Sequence, residues 1–151
     1  MYSKSIPLLL NKHRTFINAS LTFVAVSIEI YYSYCGGACE ALSGKFFGIP
    51  LQYAGMVFMA TIAFLSFAHC DRLKALLVAA GVGAEIYLVG YQVYYNTYCP
   101  YCLAFAAIVL LLFAINYKTS NIRFRHIIAM MVFTVVAFAA LFDATPVLQY
   151  S

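Results

Sequence analysis

The sequence predicts an all-α integral membrane protein with five transmembrane helices, and three observations predict it. The 151 residues are 65% hydrophobic and 9% charged, whereas an ordinary soluble domain carries about 25% charged residues. The mean hydropathy is +0.89. The apolar residues also gather into five long runs separated by short polar turns, each close to the roughly 20 residues needed to cross about 30 Å of hydrocarbon. Helices are expected in all five, because an open strand edge leaves backbone groups unsatisfied in lipid. No alternation of the kind a barrel requires is present. The length allows a single domain over residues 1–151.

The first span is expected over Phe16–Tyr34. The preceding stretch, "MYSKSIPLLLNKHR", has its apolar patch broken by Asn11, Lys12, His13 and Arg14. No cleavable signal peptide is therefore expected, and the first span stays as an anchor. The second span is expected over Ile49–Ala68, the third over Leu73–Tyr95, the fourth over Cys99–Ile115 and the fifth over Phe124–Phe142. Lys4, Lys12 and Arg14 precede the first span. Arg72 and Lys74 lie between the second and third, and Lys118, Arg123 and Arg125 between the fourth and fifth. Five crossings put these three clusters on one side and only Lys45 on the other. The positive-inside rule then places the N-terminus in the cytoplasm. It also explains the net charge of +4 without nucleic acid, since the basic residues are scattered in loops.

The five cysteines divide along the same line. Cys35, Cys39, Cys99 and Cys102 fall on the outer face and Cys70 on the cytoplasmic face, although they played no part in fixing the topology. Disulfides persist outside the cell and are rare in the cytosol. Cys70 reads as a small buried hydrophobe. For the four outer cysteines, redox chemistry, two structural disulfides and a zinc site are the alternatives. Zinc is disfavoured by the Pro in a Cys-x-x-Cys pair at a helix start.

In "CPYC", Cys99 falls where a helix N-cap belongs. Pro100 suits the first helical position, where its missing N–H costs nothing, and Cys102 lies in the first turn. Free backbone N–H groups and the positive end of the helix dipole favour a thiolate there. Residues three apart share a face, so the two sulfurs can meet. The other pair, Cys35-Gly36-Gly37-Ala38-Cys39, sits in the segment Cys35–Gly48, long enough at roughly 3.3 Å per residue to carry a cysteine to Cys99. A pair on a loop and a pair on a helix form a relay, because thiol–disulfide exchange passes electrons through a mixed disulfide.

A loop cysteine pair, then "SGKFFGIPLQYAG" (Ser43–Gly55) leading into a span, then "CPYC" opening a later span, resembles the vitamin K epoxide reductase family, its bacterial branch most closely. The resemblance runs from the first span through the fourth. In DsbB-type quinone reductases, which are functionally analogous, the Cys-x-x-Cys comes before the other pair. The resemblance implies a four-helix bundle around a quinone, either ubiquinone or menaquinone, in a bacterial cell (inner) membrane. It implies that Cys102 lies nearest the quinone with Cys99 as its partner, that Cys99 exchanges with Cys39, and that Cys35 exchanges with an external thiol protein. Ser43, Cys102 and Phe105 would border the quinone pocket. The sequence departs from the family in three ways. The loop cysteines are closer together than usual. Gly44 and Ala106 stand where the vertebrate enzymes carry a quinone-contacting asparagine and a tyrosine, which favours a respiratory quinone over vitamin K epoxide. No thioredoxin-like domain follows the fifth span, so a separate thioredoxin-like (DsbA-like) partner is expected.

Glu29 and Glu85 fall inside spans, where a carboxyl is expensive. For Glu29 the alternatives are proton management during quinone reduction and a hydrogen-bonded carboxyl meeting a tyrosine; for Glu85 the second is favoured. Tyr31, Tyr32, Tyr34, Tyr91, Tyr94, Tyr95, Tyr98 and Tyr101 read as an interfacial belt, and His13, His69 and His126 as interface residues. The function expected is a quinone-dependent thiol oxidase supporting disulfide bond formation. The competing readings are an outward conduit of reducing equivalents and a non-enzymatic membrane scaffold with structural disulfides.

Overall fold

The computed structural model of the chain describes residues 5–34, 44–117 and 122–144. Cys35, Cys39, Ser43, Lys4 and Lys118 lie outside the described residues. Those described are mostly helical, with α1 at Ser5–Tyr34, α2 at Leu51–Phe67, α3 at Asp71–Tyr95, α4 at Pro100–Tyr117 and α5 at Phe124–Leu141. Stretches of α1, α3, α4 and α5 are long and apolar enough to cross a membrane. The helix α2 is apolar along its length but has 17 residues, about 26 Å at 1.5 Å per residue. It is shorter than the expected Ile49–Ala68 because Ile49 and Pro50 are taken up by a strand and Ala68 caps the other end. At the start of the chain, α1 begins well before the expected Phe16. Asn11–Arg14 interrupt the apolar run but not the helix, since Lys and Arg are good helix formers and Pro7 is tolerated in a first turn.

Helix α1 packs on α2 and α4, and α3 packs on α4 and more lightly on α2, so the first four helices close a ring; α5 lies against α3. Met59, Ile62, Val78, Val82, Val109 and Leu112 fill the ring's centre together with Ala25. The α3–α5 contact is close because Gly83 has no side chain: a Cβ there would run into the backbone carbonyl of Met131. Phe23, Phe64, Leu110 and Phe133 point outward and are exposed. An apolar exterior of this kind suits a lipid surround.

A small sheet accompanies the helices. Three short strands, β1 Gly44–Phe46, β2 Ile49–Pro50 and β3 Phe142–Ala144, form an antiparallel sheet in the order β2-β1-β3. Phe47 (φ 57) and Gly48 (φ 80) join β1 to β2 with positive φ at both central positions, the geometry of a type I′ hairpin turn. Lys45 pairs with Pro50 on one side and Asp143 on the other. A Cβ on Gly44 would strike the Phe142 ring, so glycine lets β3 close on β1. The fifth predicted span thus ends one residue early, because Phe142 belongs to the sheet.

The ends of the ring differ in chemistry. Arg14, Asp71 and Lys74 meet at one end, where Asp71 Oδ1 accepts from Arg14 Nη2 at 2.7 Å and Lys74 Nζ at 3.0 Å. The sheet, Cys99 and Cys102 lie at the other, where β1 and β3 tie the start of α2 to the end of α5. Cys70 is exposed at the charged end and not buried as expected, because it occupies the N-cap of α3 in the turn from α2.

Candidate functional site

The α3–α4 turn is short and tightly held, and it sets the position of Cys99. Asn96 ends α3 in the left-handed region (φ 53) and its backbone N–H donates to the Gln92 and Val93 carbonyls. Asparagine is one of the few residues besides glycine that visits this region readily. The Thr97 N–H also donates to the Gln92 carbonyl, at 3.0 Å. The Gln92 side chain then reaches forward, and its Oε1 accepts the Cys99 backbone N–H at 2.9 Å. One buried residue thereby fixes both the end of α3 and the start of α4. Gln92 Nε2, also buried, meets no hydrogen-bond partner among the described residues.

Cys99 occupies the N-cap position expected for it. Its carbonyl accepts the Leu103 N–H at 3.1 Å, the first bond of α4. Its sulfur accepts the backbone N–H of Cys102 at 3.4 Å, the capping bond usually made by a side-chain oxygen. Pro100 follows as the first helical residue. The Cys99 and Cys102 side chains are within hydrogen-bonding reach of one another. Cys99 is buried and Cys102 half-buried, so the two thiols face different surroundings.

Cys102 borders two cavities. The larger has a volume of about 230 Å³ and runs down into the ring. Leu51, Ala54, Gly55 and Phe58 line it from α2, and Leu77, Ala80, Gly81, Ala84, Glu85 and Leu88 from α3. Both sets repeat every three or four residues, which places each on one helix face. Along α3 the lining from Leu77 to Leu88 covers about 16 Å of helix. Glu29 and Phe105 complete the wall with Cys102, Thr134 and Phe138 from α5, and Phe46 from β1. Phe46 stacks on Phe138 with ring centroids 4.4 Å apart. The sheet therefore serves as a wall at the cysteine end, and α5 contributes to a cavity that four helices were expected to enclose. The smaller cavity, about 30 Å³, is bordered by Cys102, Glu29, Tyr32, Gln52, Tyr101 and Gly44.

The expected site residues are distributed as follows. Cys102 and Phe105 both line the larger cavity, and Cys99 adjoins Cys102. Cys35, Cys39 and Ser43 lie outside the described residues, which resume at Gly44 on the edge of the smaller cavity. Glu29 lines both cavities and Glu85 the larger. Gly55 makes room for the first carboxyl, since a Cβ there would come to 3.0 Å from Glu29 Oε1. Neither side chain accepts a hydrogen bond from another described residue, although Glu85 is only 9% exposed. The tyrosine belt clusters as expected: Tyr101 packs on Tyr31 and Tyr32, and Tyr95 on Tyr91 and Tyr94. Among the described residues no group of three or more His, Cys, Asp or Glu is placed to hold a metal. Gln92 was not singled out from the sequence; a polar residue one turn before a helix end is its only signal there.

The arrangement can hold a flat, mainly apolar molecule against a thiol. A cavity of roughly 150 Å³ lined by aliphatic and aromatic groups is enough to take up benzene, so the larger cavity has room for a substituted ring. Its wall also carries Cys102, Glu29, Glu85 and Thr134, polar groups of the kind that orient a ring's oxygens. Comparison with protein-family models and with curated proteins finds no match to this chain.

Proposed function

We propose that the chain is a membrane thiol–disulfide oxidoreductase of the vitamin K epoxide reductase type, in its bacterial branch. It reoxidises a separate thioredoxin-like (DsbA-like) protein outside the cytoplasm and passes the electrons to a respiratory quinone, ubiquinone or menaquinone, so supporting disulfide bond formation. All five helices cross a bacterial cell membrane with the N-terminus cytoplasmic. The ring of α1–α4 holds the quinone, and the cysteine end faces outward. The observation that carries this reading is that Cys102 forms part of the wall of an apolar cavity within the ring while Cys99, touching it, opens α4 at the end of the bundle.

The relay runs in two stages. The partner's dithiol reduces a disulfide between Cys35 and Cys39 by exchange, and the loop dithiol then reduces a disulfide between Cys99 and Cys102, with Cys39 attacking Cys99. The quinone supplies a two-electron, two-proton acceptor. Cys99 and Cys102 lose their two S–H bonds, form an S–S bond and release two electrons and two protons to it. The N-terminal turn of α4 serves Cys99, whose sulfur accepts the Cys102 backbone N–H, so a thiolate is favoured at Cys99 rather than at Cys102. Phe105 lies one turn below and closes the cavity wall, and the family resemblance adds Ser43 to the residues bordering the quinone.

Purified protein, a reduced thioredoxin-like dithiol and a soluble quinone, followed by quinone absorbance, test the proposal. The Cys102→Ala variant is expected to lose quinone-dependent oxidation of the dithiol. Oxidation at the wild-type rate in that variant would overturn the assignment.

A further inference from the structure

We propose that Glu29 and Glu85 act as a coupled pair of proton carriers between the Cys99–Cys102 thiols and an acceptor held in the larger cavity. The inference rests on the thiol–quinone reading above and assigns a route for its protons.

Oxidising a dithiol by a quinone moves two protons as well as two electrons, from two sulfurs to two oxygens. The cavity is walled almost wholly by apolar side chains, so its interior offers few groups to carry a proton. Besides Cys102, its polar lining among the described residues consists of Glu29, Glu85 and Thr134. Thr134 is already committed, its hydroxyl donating to the Met130 carbonyl at 2.9 Å. The two carboxyls are not: neither meets a hydrogen-bond partner among the described residues, and Glu85 is nine-tenths buried. A buried carboxyl without a partner costs stability, which a structural role would not require. Their positions connect the thiols to the cavity. Glu29 and Cys102 border both cavities, and Glu85 lines the larger one with them, farther from the sheet along α3 than Leu88. Toward the smaller cavity the polar neighbours are Tyr32, Gln52 and Tyr101.

The pair holds one proton between its two carboxyls. As the S–S bond forms, Glu29 takes the proton of a breaking S–H bond, and Glu85 gives its own to an acceptor oxygen. Transfer from Glu29 to Glu85 restores the pair. Two such cycles deliver both protons, and none is drawn from bulk water.

The test has a readout that needs no quinone. The pair holds one proton in both end states, so infrared difference spectra between the dithiol and disulfide forms of the purified protein are expected to show a shift of the carboxyl C=O band, as the thiols beside it are lost, without net loss of the band. That change should vanish in Glu29→Gln and Glu85→Gln and return in Glu85→Asp. In single-turnover reoxidation by a quinone, the Gln variants are expected to slow by about 10²-fold or more, the usual contribution of a positioned acid–base group, with the Asp variant partly restored. Tyrosine fluorescence quenching by the quinone reports whether the Gln variants still fold and bind. An unchanged carboxyl band together with wild-type reoxidation in both Gln variants would overturn the carrier role while leaving the cysteine relay standing. Absence of quinone reduction by the wild type would instead remove the parent reading, and this one with it.

Discussion

At the charged end of the bundle Asp71 accepts from both Arg14 and Lys74, and Lys74 is fully buried against it. A little deeper, Asn18 and Asn116 exchange two hydrogen bonds of 3.0 Å across α1 and α4, and Asn116 adds a third to the Leu112 carbonyl. At the cysteine end the corresponding groups stand apart: the buried Glu85 and half-buried Glu29 carboxyls face a cavity, and the Gln92 amide nitrogen the core, without a hydrogen bond among the described residues. Both ends sit in the same apolar surround, where an unmade hydrogen bond is costly. The charged end ties helices together through these pairs, whereas at the cysteine end the two carboxyls stay without hydrogen bonds among the described residues, the state that the proposed proton-carrier role needs.

Substitutions at the two ends should separate the same way. The largest effect on stability is expected at the charged end. Asp71→Ala leaves the buried Lys74 ammonium without its carboxylate, and removing one partner of a buried pair costs about 3 kcal/mol. Thermal unfolding in detergent should show the loss, while dithiol oxidation per folded molecule stays at the wild-type level. A stable Asp71→Ala protein would break the comparison. A smaller effect of opposite sign is expected at the cysteine end. Glu85→Leu removes a buried carboxyl that has no partner and should stabilise the fold by about 1 kcal/mol, while turnover falls. Such a trade of stability against activity is usual where a site is kept polar for its chemistry. A destabilised Glu85→Leu protein would mean the carboxyl has a structural partner after all.

Much of this was legible in the sequence, and the reasons differ by element. Composition and apolar run length locate α3, α4 and α5 to within a few residues, because in lipid the span length is itself a physical constraint. The N-cap geometry of Cys99 followed from Cys-Pro at the head of an apolar run, where each residue's local preference agrees with its place. The sheet was not legible. Its strands are two or three residues long, too short for a period of two to register, and β3 lies nearly a hundred positions after β1. The role of Gln92 depends on the left-handed turn at Asn96, which brings residue 92 back to residue 99. Sequence identifies Glu85 as expensive, but only the packing of α2 against α3 reveals that it faces the same cavity as Glu29 and Cys102. The pairing of Cys35 and Cys39 with Cys99 falls outside the described residues and rests on the family resemblance.

The central claim is that Cys99 and Cys102 hand an electron pair directly to an acceptor in the cavity beside them. The most direct measurement is stoichiometric. Fully reduced protein is mixed anaerobically with excess quinone and no partner, and quinone consumed is counted by absorbance against disulfides mapped by mass spectrometry, with Cys35 and Cys39 both replaced by Ala. One quinone reduced per protein, with a Cys99–Cys102 disulfide formed in step, is the predicted result. Quinone left unreduced, or reduced without that disulfide, would contradict it.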